Sequence, residues 1–442
     1  MKALNPLLIL VAVVITSCYF FPFVLAAFPV ANSKMILASV GLVMLGVELV
    51  YKSNAVVDHD FLKLSLWAFC ISLMAYFSMM FNNTPDDEFT TYFMSMWVWL
   101  GGAYAVVSFI KWVHGGVSVP LVVNYLLAVC VIQCVLAVVF DNSQAASDWA
   151  DRTFSGEGYM GNTDSRMHGI GCSLDVAGFR FASVICMAAF MATYFRSARS
   201  LFPDYVYIAA ICFISVVGNM ISRSTVTGSC IGMAFIICYG VFMKRDVRLS
   251  AMLVAFVVVV AAACVSLYSV SDSFRDNFRF GFEGFFSLAE TGQWHTSSND
   301  ILKNMVVWPD NLKTWVIGDG YINNPLDKTL DSFDPYYTGP AYGGYYKGTD
   351  IGYLRYIFYF GVLGLAAFSL FFINACGVCV RRFGAFRWMF VMILAMNFIQ
   401  WFKVSSDLFV VFALFLCISA RENDDYMTRG LLAGGARKMN CQ

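Results

Sequence analysis

Arginines stand beside the ends of apolar segments at several places in this sequence. Arg166, Arg180 and Arg223 lie at or just inside successive segments, and the four-residue spacing of Arg275 and Arg279 puts both on one helix face. A single arginine in such a place usually reaches the membrane interface or bonds a loop carboxylate. A cluster of guanidinium groups instead matches the oxygens of a lipid-linked diphosphate. We therefore expect these five arginines to bind a diphosphate.

Acidic residues at two places could take part in chemistry. Asp350 stands in Gly348-Thr-Asp-Ile-Gly-Tyr353, directly before an apolar segment. A carboxylate there either caps the following helix or serves as a general base. The run Asp86-Asp87-Glu88 follows a proline and forms either a solvated turn, which we favour, or a site for a divalent cation.

The motifs of many other enzyme classes are absent. The sequence contains no Walker A loop, HExxH motif, GxSxG elbow or zinc-binding quartet. Without a P-loop, an ATP-driven pump is disfavoured. We expect no bound metal ion and no cofactor.

The composition shows which elements must position these residues. Of the 442 residues, 59% are hydrophobic and only 13% are charged, and the mean hydropathy is +0.68. Soluble domains carry about 25% charged residues. The formal net charge is zero, so no overall field attracts a nucleic acid. The composition excludes a soluble enzyme, a disordered chain and a nucleic-acid binder, and it indicates an all-α polytopic membrane protein.

Apolar runs long enough to form membrane helices recur about twelve times, since a crossing needs roughly 20 apolar residues. Positive charges are concentrated on one set of connections and termini, with sixteen Lys and Arg against five on the opposite short connections. The positive-inside rule then places both termini in the cytoplasm. The predicted segments are 5–27, 34–51, 62–81, 92–113, 117–140, 174–195, 205–220, 226–243, 249–271, 351–373, 386–402 and 404–420.

Four regions follow from this topology. Residues 1–271 hold helices one to nine, 272–350 form a large external loop, 351–420 hold helices ten to twelve, and 421–442 form a mobile cytoplasmic tail. The loop has 79 residues, including sixteen aromatics, and we expect short helices near 274–290 and 297–307. A loop of this size in a compact protein is usually functional or disordered, and its aromatic content argues against disorder.

The aromatic and polar side chains of the external side have two interpretations. They form either an interfacial aromatic belt or a surface on which sugar rings stack. The second interpretation predicts sugar contacts by a set of residues near the loop and the tenth segment. These are His168, His295, Trp294, Tyr345, Tyr346, Tyr353 and Arg355.

Three stretches give the chain a resemblance to a known superfamily. They are Arg166-Met-His-Gly169 with Ser173-Leu-Asp-Val-Ala-Gly178, Ile221-Ser-Arg-Ser-Thr-Val-Thr-Gly228, and Ile317-Gly-Asp-Gly320 with the later Thr349-Asp-Ile-Gly-Tyr-Leu354 and Phe360-Gly-Val-Leu-Gly-Leu365. In order and spacing, these resemble the O-antigen polymerase (Wzy-type) and O-antigen ligase superfamily. With the topology, the resemblance spans most of the chain.

The resemblance implies a metal-independent, inverting glycosyltransferase of the GT-C type in the bacterial inner membrane, acting in lipopolysaccharide biosynthesis. Its substrates would be polyprenyl-diphosphate-linked oligosaccharides at the periplasmic face. Ligases of the superfamily typically carry a histidine near the end of the large loop. This chain has Thr349 and Asp350 there, with His295 far upstream, which favours a polymerase. We then expect Asp350 and Arg223 to be catalytic, with Asp350 as the base.

Other functions remain open at this stage. A ligase that transfers finished chains to a lipid A core would depend on a histidine such as His295. A polysaccharide transporter would carry charges at the bilayer midplane, where this sequence has few. A metal-dependent GT-C enzyme would use the acidic run at 86–88. A chain-length regulator is a possible partner, and membrane lipid surrounds the chain.

Overall fold

The computed structural model describes residues 5–51, 59–155, 166–194, 203–243 and 247–439, which are mostly helical. In the N-terminal half the helices are α1 (Pro6–Phe20), α2 (Ser33–Tyr51), α3 (His59–Asn82), α4 (Tyr92–His114), α5 (Val119–Asn142), α6 (Gln144–Thr153), α7 (Leu174–Tyr194), α8 (Asp204–Ile221) and α9 (Thr225–Phe235). A π-helix, Ile236–Met243, continues α9.

The second half begins with α10 (Val247–Val270) and four short helices. These are α11 (Asp272–Gly281), α12 (Glu283–Thr291), α13 (Ser297–Asn304) and α14 (Leu312–Val316). The predicted short helices near 274–290 and 297–307 are therefore confirmed in outline. The chain then returns to the bundle through α15 (Gly352–Arg382), α16 (Arg387–Gln400), α17 (Phe409–Leu416) and α18 (Ala420–Met439). We call the end of the bundle that carries α11–α14 the loop end.

Each predicted apolar segment contains a helix, and among the described residues seven helices are long and apolar enough to cross a membrane. The seven lie in α3, α4, α5, α7, α8, α10 and α15. Shorter apolar helices at Pro6–Phe20, Thr225–Gly240 and Gly384–Gln400 accompany them. The architecture is consistent with an all-α membrane protein, while twelve crossings and a GT-C arrangement stay predictions.

A small antiparallel sheet departs from the all-α prediction. The first apolar segment was expected to be helical to residue 27, but α1 ends at Phe20. The helix ends there because Phe21 precedes Pro22, and a residue before a proline disfavours the helical backbone conformation. The chain then forms β1 (Val24–Leu25), which pairs with β2 (Phe28–Asn32) on one side and with β3 (Phe154–Ser155) on the other.

Helix α15 is broken about a third of the way along, at Phe360 and Gly361, and the large loop packs against the break. Gly361 adopts a φ of 70°, in the left-handed region that favours glycine. The freed carbonyl of Tyr359 accepts hydrogen bonds from Ser78 Oγ at 2.6 Å and from Gly320 N at 3.1 Å. A Cβ on Gly361 would lie 2.1 Å from the carbonyl oxygen of Val316. Two stretches of the resemblance, 317–320 and 360–365, are thus in contact.

The predicted mobile tail is a helix in the structure. Helix α18 occupies Ala420–Met439, and its first turns are held against the bundle. Glu422 forms an ion pair with Lys111, and Asn423 Oδ1 accepts a hydrogen bond from Val119 N at 3.0 Å. A chain with mixed charge and two adjacent glycines looks mobile in sequence, but these contacts with α4 and α5 order its beginning.

Candidate functional site

A cavity of about 130 Å³ lies at the loop end, where several separate stretches of the chain meet. The start of α7, the α8–α9 turn, the end of the large loop and the α16–α17 connection all contribute charged or hydroxyl side chains. We call it the arginine cavity. Its lining consists of Arg166, Asp175, Ser222, Arg223, Phe280, Ser298, Ile301, Leu302, Met305, Asp350 and Lys403.

Arg223 is presented to this cavity by the tight turn between α8 and α9. Its guanidinium group forms an ion pair with Glu283 at the start of α12. Both terminal nitrogens also lie 3.4 Å from Ser297 Oγ. The Arg223 side chain is mostly buried, at 14% exposure, so water screens its charge weakly. Arg223 therefore joins the bundle to the large loop through a carboxylate.

Phe280 lies between the two arginines of the cavity. The centre of the Arg166 guanidinium is 4.7 Å from the centre of the Phe280 ring, and that of Arg223 is 4.5 Å from it. Cations at this distance from a ring are attracted by its electron-rich face. Within the described ranges Arg166 forms no ion pair with a carboxylate, so its charge is available to an anion. The sequence did not single out Phe280.

A lysine and an aspartate that the sequence analysis did not single out complete the charged lining. Lys403 Nζ donates to Asp175 Oδ1 at 2.7 Å and to Ser224 Oγ at 3.1 Å. Asp175 also accepts hydrogen bonds from Ser224 Oγ at 2.5 Å and Ser222 Oγ at 3.1 Å. Asp175 lies within a stretch of the resemblance, whereas Lys403 had been counted only as one of the few positive charges on its side.

Asp350 lies in the same cavity, directly before α15. Burial raises the pKa of Asp350 to about 6, although nearby Arg355 and Lys403 act in the opposite direction. Arg355 Nη1 is 3.5 Å from Asp350 Oδ1. A carboxyl group with a pKa near 6 is ionised at neutral pH and accepts a proton more readily than an ordinary aspartate. Its chemistry suits a general base.

Arg355 and Tyr345 form a stacked pair next to Asp350. The guanidinium carbon of Arg355 is 3.7 Å from the centre of the Tyr345 ring. Two other predicted sugar contacts have structural partners instead. The Tyr346 hydroxyl donates to Asp319 Oδ2 at 3.2 Å, and the Tyr353 hydroxyl donates to the carbonyl of Phe398 at 3.0 Å.

Arg180 does not reach the arginine cavity, contrary to the sequence prediction. It is buried in the bundle, with 8% exposure, and its Nη1 donates to the carbonyl of Phe20. That carbonyl is at the end of α1, where an arginine stabilises the unpaired carbonyls and the negative end of the helix dipole. Sequence position alone could not separate Arg180 from Arg166 and Arg223, because all three precede or begin apolar segments.

Arg275 and Arg279 also lie outside the arginine cavity. Arg275 pairs with Asp272 at 3.0 Å, and Arg279 pairs with Glu290 at 2.7 Å. Both arginines contact Tyr268, so α11 does place them on one side. Their carboxylate partners satisfy them locally, and Arg279 lines a different cavity.

Two further cavities adjoin the first. One, of about 200 Å³, shares Arg223 and Lys403 with the arginine cavity and is otherwise largely apolar, with Phe179 and Ile399 on its walls and Trp294 at its side. The other, of about 370 Å³, shares Phe280.

The predicted histidines have separate surroundings. His295 lines the 370 Å³ cavity, and its Nε2 is 2.7 Å from Asp300 Oδ2. His168 is buried, with its ring centre 5.5 Å from that of Phe140. Burial lowers the pKa of His168 below its usual value, which favours the neutral ring. Neither histidine lines the arginine cavity.

Of the acidic run predicted to form a solvated turn, Asp87 and Glu88 are exposed, whereas Asp86 is buried and binds the large loop. It is 1% exposed, and its Oδ2 accepts hydrogen bonds from Ile322 N at 2.9 Å and Asn323 N at 3.1 Å. Asp86 Oδ2 is therefore satisfied by two backbone N–H groups. Over the described ranges the structure contains no group of three His, Cys, Asp or Glu residues placed to hold a metal ion.

The chain has no recognisable relative in three comparisons. No protein-family model matches it, no curated protein is significantly similar to it, and no solved structure matches its fold. Its function therefore has to be argued from the geometry of this site.

Proposed function

We propose that this protein is a surface-polysaccharide polymerase of the O-antigen type. It would join polyprenyl-diphosphate-linked oligosaccharide repeat units by inverting glycosyl transfer, at the periplasmic face of a bacterial inner membrane. Both termini would then be cytoplasmic. The observation that carries the proposal is the meeting of Arg166, Arg223, Lys403 and Asp350 around one cavity.

The charge of the arginine cavity supports a diphosphate as the bound group. Arg166, Arg223 and Lys403 supply three cations from three separate parts of the chain. Guanidinium groups bind phosphate oxygens in pairs, and an ammonium group adds a point charge. Glu283 and Asp175 neutralise two of these cations in the structure, and a diphosphate would take their place as the partner.

The largely apolar cavity of about 200 Å³ that adjoins the arginine cavity supports a lipid-linked substrate. It begins at Arg223 and Lys403 and continues along Phe179 and Ile399. A molecule with an anionic head and a hydrocarbon chain fits such a pair of adjoining surfaces, because each part meets its own chemistry.

In the proposed reaction, a hydroxyl of the incoming repeat unit attacks the anomeric carbon of the growing chain. Asp350 takes the proton from that hydroxyl as the new carbon–oxygen bond forms. The bond between the anomeric carbon and the diphosphate oxygen breaks, and polyprenyl diphosphate leaves. Negative charge develops on the leaving group, so Arg166, Arg223 and Lys403 stabilise the transition state more than the ground state.

The test is turnover by the purified protein in detergent, in the presence of EDTA, with synthetic polyprenyl-diphosphate repeat units. We expect a ladder of products with the unaltered protein, and loss of the ladder in Arg223→Ala. Arg152→Ala is the matched control, because Arg152 is an exposed arginine on α6, at the same end of the bundle and outside these three cavities.

Each outcome distinguishes a class of function. A ladder that survives Arg223→Ala removes the arginine cavity from the reaction. Product that forms only after a lipid A core acceptor is added makes the protein a ligase. Loss of the ladder in EDTA makes it metal-dependent, and no product with either acceptor favours transport.

A further inference from the structure

The largest of the three cavities has walls of an unusual chemical mixture. We call it the α12 groove and define it by Arg279, Phe280, Glu283, Ser287, Thr291 and His295. Its volume of about 370 Å³ is within the range of small-molecule binding pockets, roughly 300–1,000 Å³. The two smaller cavities are below that range taken singly.

Two hydroxyl groups of the groove donate their protons to backbone carbonyls. Ser287 Oγ donates its proton to the carbonyl of Gln293 at 2.8 Å, and Thr291 Oγ1 donates to the carbonyl of Ser287 at 2.7 Å. Thr291 Oγ1 also accepts a hydrogen bond from Gln293 N at 3.3 Å, so among the described residues Ser287 Oγ is the hydroxyl that meets a ligand as an open acceptor. The carboxylates of Glu283 and Glu290 are further acceptors in the groove.

Donors and an aromatic face are present beside these acceptors. Arg279 and His295 supply N–H groups, and Phe286 supplies a ring, with the Arg279 guanidinium 4.8 Å from its centre. Arg279 pairs with Glu290 and His295 lies 2.7 Å from Asp300, so both basic groups of the groove have carboxylate partners, whereas Arg166 of the arginine cavity has none among the described residues. The groove is therefore less suited to an anion than the arginine cavity is. Its many polar groups disfavour a hydrocarbon chain, because each would lose its water without a replacement. A sugar has hydroxyls that donate and accept, together with C–H faces, and it matches this lining.

The groove is connected to the arginine cavity through shared residues. Phe280 lines both spaces. Glu283 lines the groove while pairing with Arg223, and Ser297 lines the groove while its Oγ lies 3.4 Å from Arg223. A glycan whose reacting end is in the arginine cavity can therefore continue into the groove past Phe280.

The geometry points to the α12 groove as an oligosaccharide subsite, which holds sugars of the repeat unit that are one or more residues away from the reacting carbon. The inference rests on the proposed function for the identity of the glycan. In this proposal the arginine cavity binds the diphosphate, which is the same for every repeat unit, and the groove recognises the sugars.

The experiment uses the lipid-free repeat-unit oligosaccharide, released by mild acid from the same synthetic substrate, as the binding probe. Its Kd is measured by calorimetry for the purified unaltered protein and for three variants. Ser287→Trp fills the groove, Ser287→Ala removes one acceptor, and Thr338→Trp adds the same bulk at an exposed position of the loop outside the groove. Melting temperatures in detergent show that each variant is folded.

We expect Ser287→Trp to weaken binding of the probe by at least about tenfold, Ser287→Ala by a smaller factor, and Thr338→Trp not at all. The ladder assay is run beside it, with donor and acceptor carrying different tags. If the KM for only one of the two rises in Ser287→Trp, that substrate is the one whose sugars occupy the groove.

The two assays separate this inference from the proposed function. A ladder in the unaltered protein, together with equal probe binding by all folded variants, overturns the groove and leaves the polymerase. Probe binding that is lost in Ser287→Trp supports the groove even if no ladder forms, and the absence of a ladder then counts against the polymerase alone.

Discussion

Replacing Arg355 with glutamine should move the acid side of the pH–rate profile to higher pH. In the proposed reaction the base must be ionised, so the rate falls below the pKa of Asp350, which burial raises to about 6. Arg355 opposes that shift, with its Nη1 3.5 Å from Asp350 Oδ1. Without the positive charge of Arg355, less opposes the effect of burial, and the pKa of Asp350 rises further.

The size of this effect follows from the distance. Two unit charges 3.5 Å apart interact by about 5 kcal/mol at an effective dielectric constant of 20, which sets an upper bound of about 3.5 pKa units. The Asp350 side chain is 29% exposed, so water reduces the effect, and we expect about 1–2 units. At pH 6.5 the ionised fraction would fall from about three quarters to about one quarter for a one-unit rise and to about 3% for a two-unit rise, whereas at pH 8.5 it would stay at about three quarters or higher.

The assay is the initial rate of product formation between pH 5 and 9, roughly the range in which a base with this pKa titrates. Arg355→Lys keeps the charge and should keep the acid side near its original position. Arg355→Gln that is folded and shows an unshifted profile would refute the role of Asp350 as the base. So would an Asp350→Asn variant that retains full activity.

The same pKa has a consequence for stability. Because the pKa of Asp350 is raised from 3.8 to about 6, the folded protein binds this proton more tightly than the unfolded chain does. Between about pH 4 and 6, the contribution of Asp350 to the free energy of unfolding therefore falls as the pH rises. Asp350→Asn should remove this part of the pH dependence of the melting temperature.

Four other substitutions have expected outcomes that can be measured directly. Arg166→Ala and Arg223→Ala should each lower kcat by about 10²–10³, and an equal loss in the exposed-arginine control would contradict the assignment. Asp86→Ala should lower the free energy of unfolding by about 2–4 kcal/mol, because the backbone N–H groups of Ile322 and Asn323 lose their acceptor. An unchanged melting temperature would be inconsistent with this expectation. Gly361→Ala should lower the free energy of unfolding by about 1–3 kcal/mol, because Gly361 has a positive φ and a Cβ there would meet the loop carbonyl of Val316. Gly384→Ala is the control, since Gly384 has open space around it and its substitution should change the melting temperature little.

Sequence patterns predicted the helical architecture well because hydrophobic runs depend on local composition. The same logic predicted the loop and its short helices. It failed where a residue's role depends on a distant partner. Asp86 is 236 residues from the backbone group of Ile322 that it binds, and nothing in its neighbourhood indicates that bond. An acidic run after a proline has the same appearance whether it is solvated or buried.

The candidate site was predictable in part for a related reason. Arg166, Arg223 and Asp350 could be selected because charged residues at the ends of apolar segments are conspicuous. Lys403 has the same property, yet it was counted only toward topology. Arg180 was selected on the same grounds, although it points into the bundle and bonds the end of α1. The direction in which a side chain leaves its helix is set by packing, which the pattern of residue types does not specify.

The bonds of Asp86 also constrain how the protein is made. Its partners on the large loop are synthesised 236 residues later, which at about 5–20 residues per second is a delay of roughly 10–50 s. During that delay α3 and α4 have been synthesised, but the Asp86 carboxylate between them lacks the two backbone N–H donors that the large loop supplies. The lining of the arginine cavity is completed later still, because Lys403 is among the last 40 residues of the chain. Assembly of the arginine cavity is therefore a late event in biogenesis, and a chain that has not yet reached Lys403 carries Arg166, Arg223 and Asp350 without the lysine that completes the lining.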